Sequence, residues 1–305
     1  MILTLEPDML YRYIGFINER HMIYMKKKTG WKYPWTEDPI LCEYKFTNIF
    51  RELDRGTIWY AENIREPYKD HPELFFHTCA YRMINYYPTY EDILKQLGFF
   101  NDFSATAFSK VMRDRKACGL KVFTGAHLLT GTLGGDKINQ VVNVGLQSIW
   151  DSRHEVEPQE GDTLEKAFNR LMQGKLYGMG PFIAYEIITD LRHTRYLKGA
   201  SDIKLWANPG PGAKRGIERL CKVFWHKSDG TSKPKISKSN RPTDKDYIDV
   251  MRWLQHYCNE KNGMHVPTME MRDVEHSLCE FDKYERARLG QGRPRQKYRV
   301  SDETW

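Results

Sequence analysis

The chain has 305 residues, of which 40% are hydrophobic, 29% charged and 13% aromatic, with a formal net charge of +7. That balance suits a globular fold with core enough for one large domain or two lobes, and it excludes a low-complexity or disordered chain. No run approaches ~18 apolar residues, the opening MILTLEPDMLYRY lacks the basic start of a secretory signal, and the six cysteines (42, 79, 118, 221, 258 and 279) form no C-x-x-C pair. A membrane span, a zinc or iron–sulfur centre and a disulfide framework are therefore not expected, and a reducing cytoplasm is the expected location.

Helical periodicity dominates from end to end, and strand-like alternation is scarce. Residues 1–43 read as an N-terminal helical extension. In FTNIFRELDRGTIWYAENI, the residues Phe46, Ile49, Phe50, Leu53 and Tyr60 trace one face of a helix. Further helices are predicted over 74–86, 90–97, 104–118, 137–153, 164–171, 181–191, 212–224 and 244–259, with Ser104 and Asp244 as N-caps. Many helices with short connections imply an all-α fold. Residues 226–243, rich in Ser, Lys, Gly and Pro, read as a mobile basic loop. Residues 290–305 read as a basic tail. Between Lys283 and Arg299 there are seven Lys/Arg against one acid, Glu285. Such a segment is drawn to phosphates or is simply a solvated basic end.

The most informative stretch is LMQGKLYGMGPFIAYEIITD, residues 171–190. Gly178 and Gly180 permit a sharp turn between two helices, and Pro181 suits a first helical position. The pattern is that of a helix-hairpin-helix, whose turn and following helix N-terminus offer backbone N–H groups to a phosphate. A plain helical turn reads the same way.

Four other groups could carry chemistry. Asn48, Arg51 and Arg55 follow i, i+3, i+7 spacing, with Asp54 beside Arg51. On a helix they make either an anion clamp or a salt-bridged surface. Thr124 and Gly125 in KVFTGAHLL put a hydroxyl and a flexible backbone together, with His127 following. NPGPGAKRG, with Gly210, Gly212, Lys214 and Arg215, reads as a phosphate cradle at a helix start. In DVEHSLCEFDK, Glu275, Cys279 and Asp282 or Lys283 fall on one side of a helix and His276, Glu280 and Lys283 on a neighbouring one, where they form a general-base set or a solvated surface. Asp190 and Asp202 are carboxylates downstream of the hairpin. The pattern G-x-x-x-x-G-K-[ST] is absent from these residues, so nothing here supports ATP hydrolysis.

The order FTNIFRELDR, VFTGAH, GMGPFIAYEIITD, NPGPGAKRG, EHSLCEFDKY resembles the helical proteins of thymine hypermodification in bacteriophages. These are the α-glutamyl/putrescinyl-thymine pyrophosphorylases, or amino acid:DNA transferases. The resemblance runs from about Tyr44 to Tyr284. The same helical module is joined to a P-loop domain in 5-hydroxymethyl-deoxyuridine DNA kinases, and the family is distantly similar to helix-hairpin-helix DNA glycosylases. It implies a glycosylase-like helical domain over 44–289, with two helical lobes around a cleft. It also implies an enzyme that displaces pyrophosphate from an activated thymine in double-stranded DNA with an amine, either an amino acid such as glycine or a polyamine.

On that reading Gly178, Gly180, Gly210 and Gly212 contact DNA. Arg51, Arg55, Lys214 and Arg215 hold the leaving pyrophosphate, with Asn48, Asp54, Thr124, Gly125 and Tyr185 lining the substrate site. Asp202, Asp190, Glu275, His276 and Lys283 are the catalytic candidates. No metal ligand set is implied, and magnesium is the one cofactor left open. A glycosylase that excises a modified base and a non-catalytic DNA-binding module are the alternatives.

Overall fold

The computed structural model describes residues 4–124, 136–221 and 242–298. In chain order the helices are α1 (Pro7–Lys28), α2 (Pro39–Glu43), α3 (Arg55–Tyr60), α4 (Leu74–Ile84), α5 (Tyr87–Leu97), α6 (Ala105–Ala117), α7 (Lys137–Asn139), α8 (Gln147–Val156), α9 (Leu164–Gln173), α10 (Pro181–Leu191), α11 (Pro211–Leu220), α12 (Asp244–Lys261) and α13 (Met271–Arg288). No strand occurs among the described residues, and one isolated bridge joins Tyr44 to Lys297. The all-α expectation is met, and no helix among those residues is long and apolar enough to cross a membrane.

The chain divides into two compact units, one of residues 1–54 with 204–305 and one of 55–203. The first is built on α13. α11 lies against it with almost no space between backbones. A Cβ on Gly212 would come within 2.2 Å of the Cys279 sulfur, and one on Gly216 within 2.4 Å of the Leu278 carbonyl oxygen. Gly212, expected to face DNA, is therefore spent on helix packing. α1 also belongs to this core. Its Tyr13, Phe16 and Ile17 are buried, and the Tyr13 hydroxyl lies 2.5 Å from that of Ser277 on α13. The chain end is held too. Lys45 N–H donates to the Gln296 carbonyl and Tyr298 N–H to that of Glu43, so residues 290–298 are not the loose tail their composition suggested.

In the second unit α4 is buried along its whole length and packs on α5, α8 and α10. Residues 137–156 run as α7, a π-helical segment Gln140–Leu146, and α8. Gly145 in that segment lets Met83 of α4 come close, since a Cβ there would lie 2.6 Å from the Met83 methyl. α9 and α10 are joined by a turn in which Gly178 has φ of +77° and Gly180 is the extended N-cap preceding Pro181.

Two local expectations are corrected. The stretch 48–62 is not one helix. A 3-10 turn, Arg51–Leu53, is followed by α3 and a π-helical turn, Ala61–Arg65. Asn48, Arg51 and Arg55 thus share no helical face. The N-cap of α12 is Thr243, not Asp244. Its hydroxyl takes the Asp246 N–H, while the Asp246 carboxylate takes the Thr243 N–H, a reciprocal cap.

The α11–α13 contact predicts opposite outcomes for two substitutions. Gly216→Ala forces a methyl onto the Leu278 backbone and should cost about 1–3 kcal/mol in urea unfolding. Gly15→Ala, inside α1 with nothing within 4 Å of the added Cβ, should instead gain about 0.5–1 kcal/mol.

Candidate functional site

In the first unit the loop 46–54 lies across α13 and is pinned by buried polar contacts. Arg20 donates through Nη2 to the Phe46 carbonyl at 2.9 Å and to Asn48 Oδ1 at 2.8 Å. The Asn48 amide donates to the Leu53 carbonyl at 2.8 Å, and its backbone N–H to Asp54 Oδ1 at 3.2 Å. Asn48 is buried, and these bonds make it the brace that shapes the loop rather than a surface ligand. Glu52 pairs with Arg272 at 2.6 Å. Burial raises the Asp54 carboxyl above its ordinary pKa, against the pull of Arg51, His276, the Asn48 N–H and Arg20.

From α13, His276 Nε2 lies 2.7 Å from the Thr47 hydroxyl. Glu280 accepts the Thr47 N–H at 3.0 Å and pairs with Lys283 at 2.5 Å. Lys283 also lies 4.6 Å from the centre of the Phe46 ring. Burial alone would raise the Glu280 pKa, but Lys283, His276 and the Thr47 N–H together hold it below the ordinary value. The structure thus gathers Asn48, Arg51, Asp54, His276 and Lys283, which sequence reasoning had left as two separate groups.

α11 meets a neighbouring face of α13. A Cβ on Gly210 would come 3.1 Å from a Glu275 carboxylate oxygen, so Glu275 sits at the start of α11. Arg215 donates through Nε to Asp282 at 2.8 Å. Lys214 goes elsewhere, pairing with Asp244 of α12 at 2.6 Å beside the Tyr247 ring. Burial, then Glu275 and Glu280, push the Cys279 thiol up to about 12. It stays protonated at neutral pH and is not a nucleophile.

The second unit holds the remaining candidates. A Cβ on Gly180 would meet nothing within 4 Å, so the turn between α9 and α10 is open there. The first N–H groups of α10 have no acceptor within the helix, as at any helix start. Tyr185 is buried. Asp190 is buried as well, paired with Arg82 through both oxygens, and Glu186 lies 3.5 Å from the same guanidinium. Burial disfavours charge on Arg82, but the two carboxylates reverse this and raise its pKa. Asp190 therefore serves the core.

Asp202 caps α9, its two oxygens accepting the Leu164 N–H at 2.7 Å and the Glu165 N–H at 3.1 Å. Arg55 lies over the Tyr87 ring at 5.1 Å, and Lys121 over Tyr86 at 5.1 Å. The Thr89 hydroxyl donates to the Val122 carbonyl at 2.7 Å, fixing the strand of chain that leads to Thr124. Gly125 and His127 lie outside the described residues. So does the basic segment 222–241, and so do residues 299–305.

Arg20 and Thr47 were not singled out from the sequence, nor was the pairing of Asp282 with Arg215, Arg219 and Arg286. The i, i+4 spacings Arg215/Arg219 and Asp282/Arg286 were visible, but which helix faces which was not.

Residues 7–293 match the family described as 5-hmdU DNA kinase, helical domain, and the chain belongs to that family. A curated relative is the 5-hmdU DNA kinase of Bacillus phage SP10, 25% identical over 228 residues. The matched stretch is 68% of this chain and 35% of the phage protein, so the chain spans about a third of that relative's length. No solved structure matches the chain. The family match begins in α1, which the motif order starting near Tyr44 had left out.

The Glu280 pairing has a pH signature. A carboxyl whose pKa is depressed by folding stabilises the fold above its unfolded value and loses that contribution as pH falls through the folded value. Glu280→Gln should cost about 1–3 kcal/mol in urea unfolding at pH 7. The gap from the native chain should narrow steadily below about pH 4.5, the ordinary value for this carboxyl.

Proposed function

We propose that the chain modifies thymine in phage DNA by replacing a pyrophosphate on the exocyclic methylene with an amine. The observation that carries this reading is family membership over residues 7–293, taken with the absence of a nucleotide-binding P-loop motif from these residues. The chemistry proposed for them needs no nucleoside triphosphate. The exocyclic C–O bond breaks and pyrophosphate leaves with its electron pair. The amine nitrogen forms the new C–N bond and gives up one proton.

Free amines are mostly protonated near neutral pH, so a base must accept that proton. His276 and Glu275 are the groups we assign to it. His276 is half-buried against Thr47, and Glu275 sits at the start of α11. Lys283, Arg51 and Arg215 supply positive charge on the same unit for the leaving group. The open turn at Gly178–Pro181 is assigned to the DNA backbone while the base leaves the stack. Arg55 and Thr124 are assigned to the same strand. Asp190, buried on Arg82, and Asp202, bound to the start of α9, have no part in this scheme, nor has Lys214, which is turned to α12 and away from α13.

The amine site we assign to a cavity of about 480 Å³ beside α1. Its wall carries the carboxylates of Asp8, Glu19 and Asp38, the Arg12 guanidinium and the rings of Tyr11 and Tyr284. Carboxylates and ring faces suit an ammonium group, and Arg12 suits a carboxylate. An amino acid therefore fits better than a polyamine.

Two measurements test this reading. DNA bearing 5-pyrophosphoryloxymethyl-deoxyuridine is incubated with the protein and a panel of amino acids and polyamines. The nucleosides are then resolved by mass. An amino-acid adduct with released pyrophosphate is expected. Unchanged base with every amine, or abasic sites, would contradict it. In the same assay His276→Gln should lower kcat about 10²-fold, and Glu19→Gln should raise the KM for the amine with little change in kcat.

A further inference from the structure

The buried carboxylate of Asp282 collects more positive charge than it can neutralise. It is fully buried in α13 and meets three guanidinium groups. Arg219 donates through Nε to Oδ1 at 2.6 Å and through Nη2 to Gln291 at 3.1 Å, and it is itself buried. Arg215 and Arg286 approach the other oxygen, Oδ2, with their Nε atoms at 2.8 Å and 3.3 Å. Their side chains are 37% and 41% exposed.

Nearby carboxylates already have partners. Glu280 holds Lys283 and the Thr47 N–H, Glu285 holds Arg288 in two bonds, and Glu218 accepts the Tyr247 phenol. Asp282 itself meets three guanidinium groups, two of them at one oxygen. Two guanidiniums drawn to one oxygen repel each other, and an anion on their outer side relieves that repulsion. Arginine's planar fork matches phosphate oxygens in two parallel bonds. Arg215 donates its Nε to Asp282, whereas Arg286 brings its Nε near the same oxygen without a hydrogen bond, and both present their terminal Nη atoms for such a ligand.

We propose that Arg215 and Arg286, set side by side on the buried carboxylate of Asp282, form a binding site for a phosphoryl oxyanion. Asp282 and Arg219 are positioning residues that hold the pair in place. The site stands on this geometry alone, and it rests on the proposed function only for the assignment of its ligand to the departing pyrophosphate. A phosphodiester of the DNA backbone offers the same oxygens.

Calorimetric titration of the full chain with inorganic pyrophosphate at low salt tests the site. The native chain should bind, and Arg286→Gln and Arg215→Gln should each weaken binding at least about tenfold. Arg252→Gln on α12 removes the same charge from the same unit and should leave affinity unchanged. Because Arg286 is 41% exposed, its variant should keep the native urea midpoint, which separates lost binding from lost fold.

A second arm follows an unmodified duplex by fluorescence anisotropy. Displacement by pyrophosphate assigns the site to backbone phosphate, and persistence assigns it to the leaving group. Either result supports a phosphoryl site when the calorimetric loss is seen. No pyrophosphate binding by the native chain, or equal binding by Arg286→Gln, overturns it. Amine transfer at the native rate by Arg286→Gln would sink this site and leave the proposed function standing. Arginine-dependent pyrophosphate binding without any transfer would do the reverse.

Discussion

The close contact of α11 with α13 is the constraint on which the first unit depends. Gly212 and Gly216 remove the side chains that would hold the two backbones apart. That approach brings Arg215 and Arg219 of α11 onto Asp282 of α13. A buried carboxylate is costly unless it is paired and hydrogen-bonded, and here the pairing fixes how the two helices lie along each other. With α13 held in this way, His276 and Glu280 meet the loop 46–54, and Glu275 meets the start of α11. The polar cluster follows from packing, since its members come from segments far apart in the chain.

The same logic separates charged residues that hold the fold from those left to act. Asp190 and Asp202 have the residue type that DNA-base chemistry uses, yet one balances Arg82 in the interior and the other caps α9. Lys214 and Arg215 are neighbours in sequence, but successive helical positions point about 100° apart, so one reaches α12 and the other α13. Cys279 is a packing atom against Gly212, and its raised pKa agrees with that.

Much of the fold was legible because helical punctuation is local. α10 begins and ends where its Gly-Pro start and apolar run place it, and Ser104 caps α6 as its residue type suggests. Periodicity failed over 48–62. Phe46, Ile49 and Phe50 are buried there without a continuous helix, since an irregular loop pressed on a core can bury apolar residues at the same spacing. The residue types at the candidate site were visible, but their grouping was not. Nothing local in 46–54 says that Thr47 meets His276, 229 positions on. The basic composition of 290–298 hid a segment fixed by backbone bonds to 43–45, which composition cannot report.

Asp282 locks α11 to α13 and so shapes the site. Hydrogen exchange on the intact chain and on Asp282→Asn, read by mass spectrometry, tests it most directly. The slow amides of α11 and α13 should lose protection together in the variant, while those of α4 and α10 keep it. Native protection of α11 in the variant would contradict it.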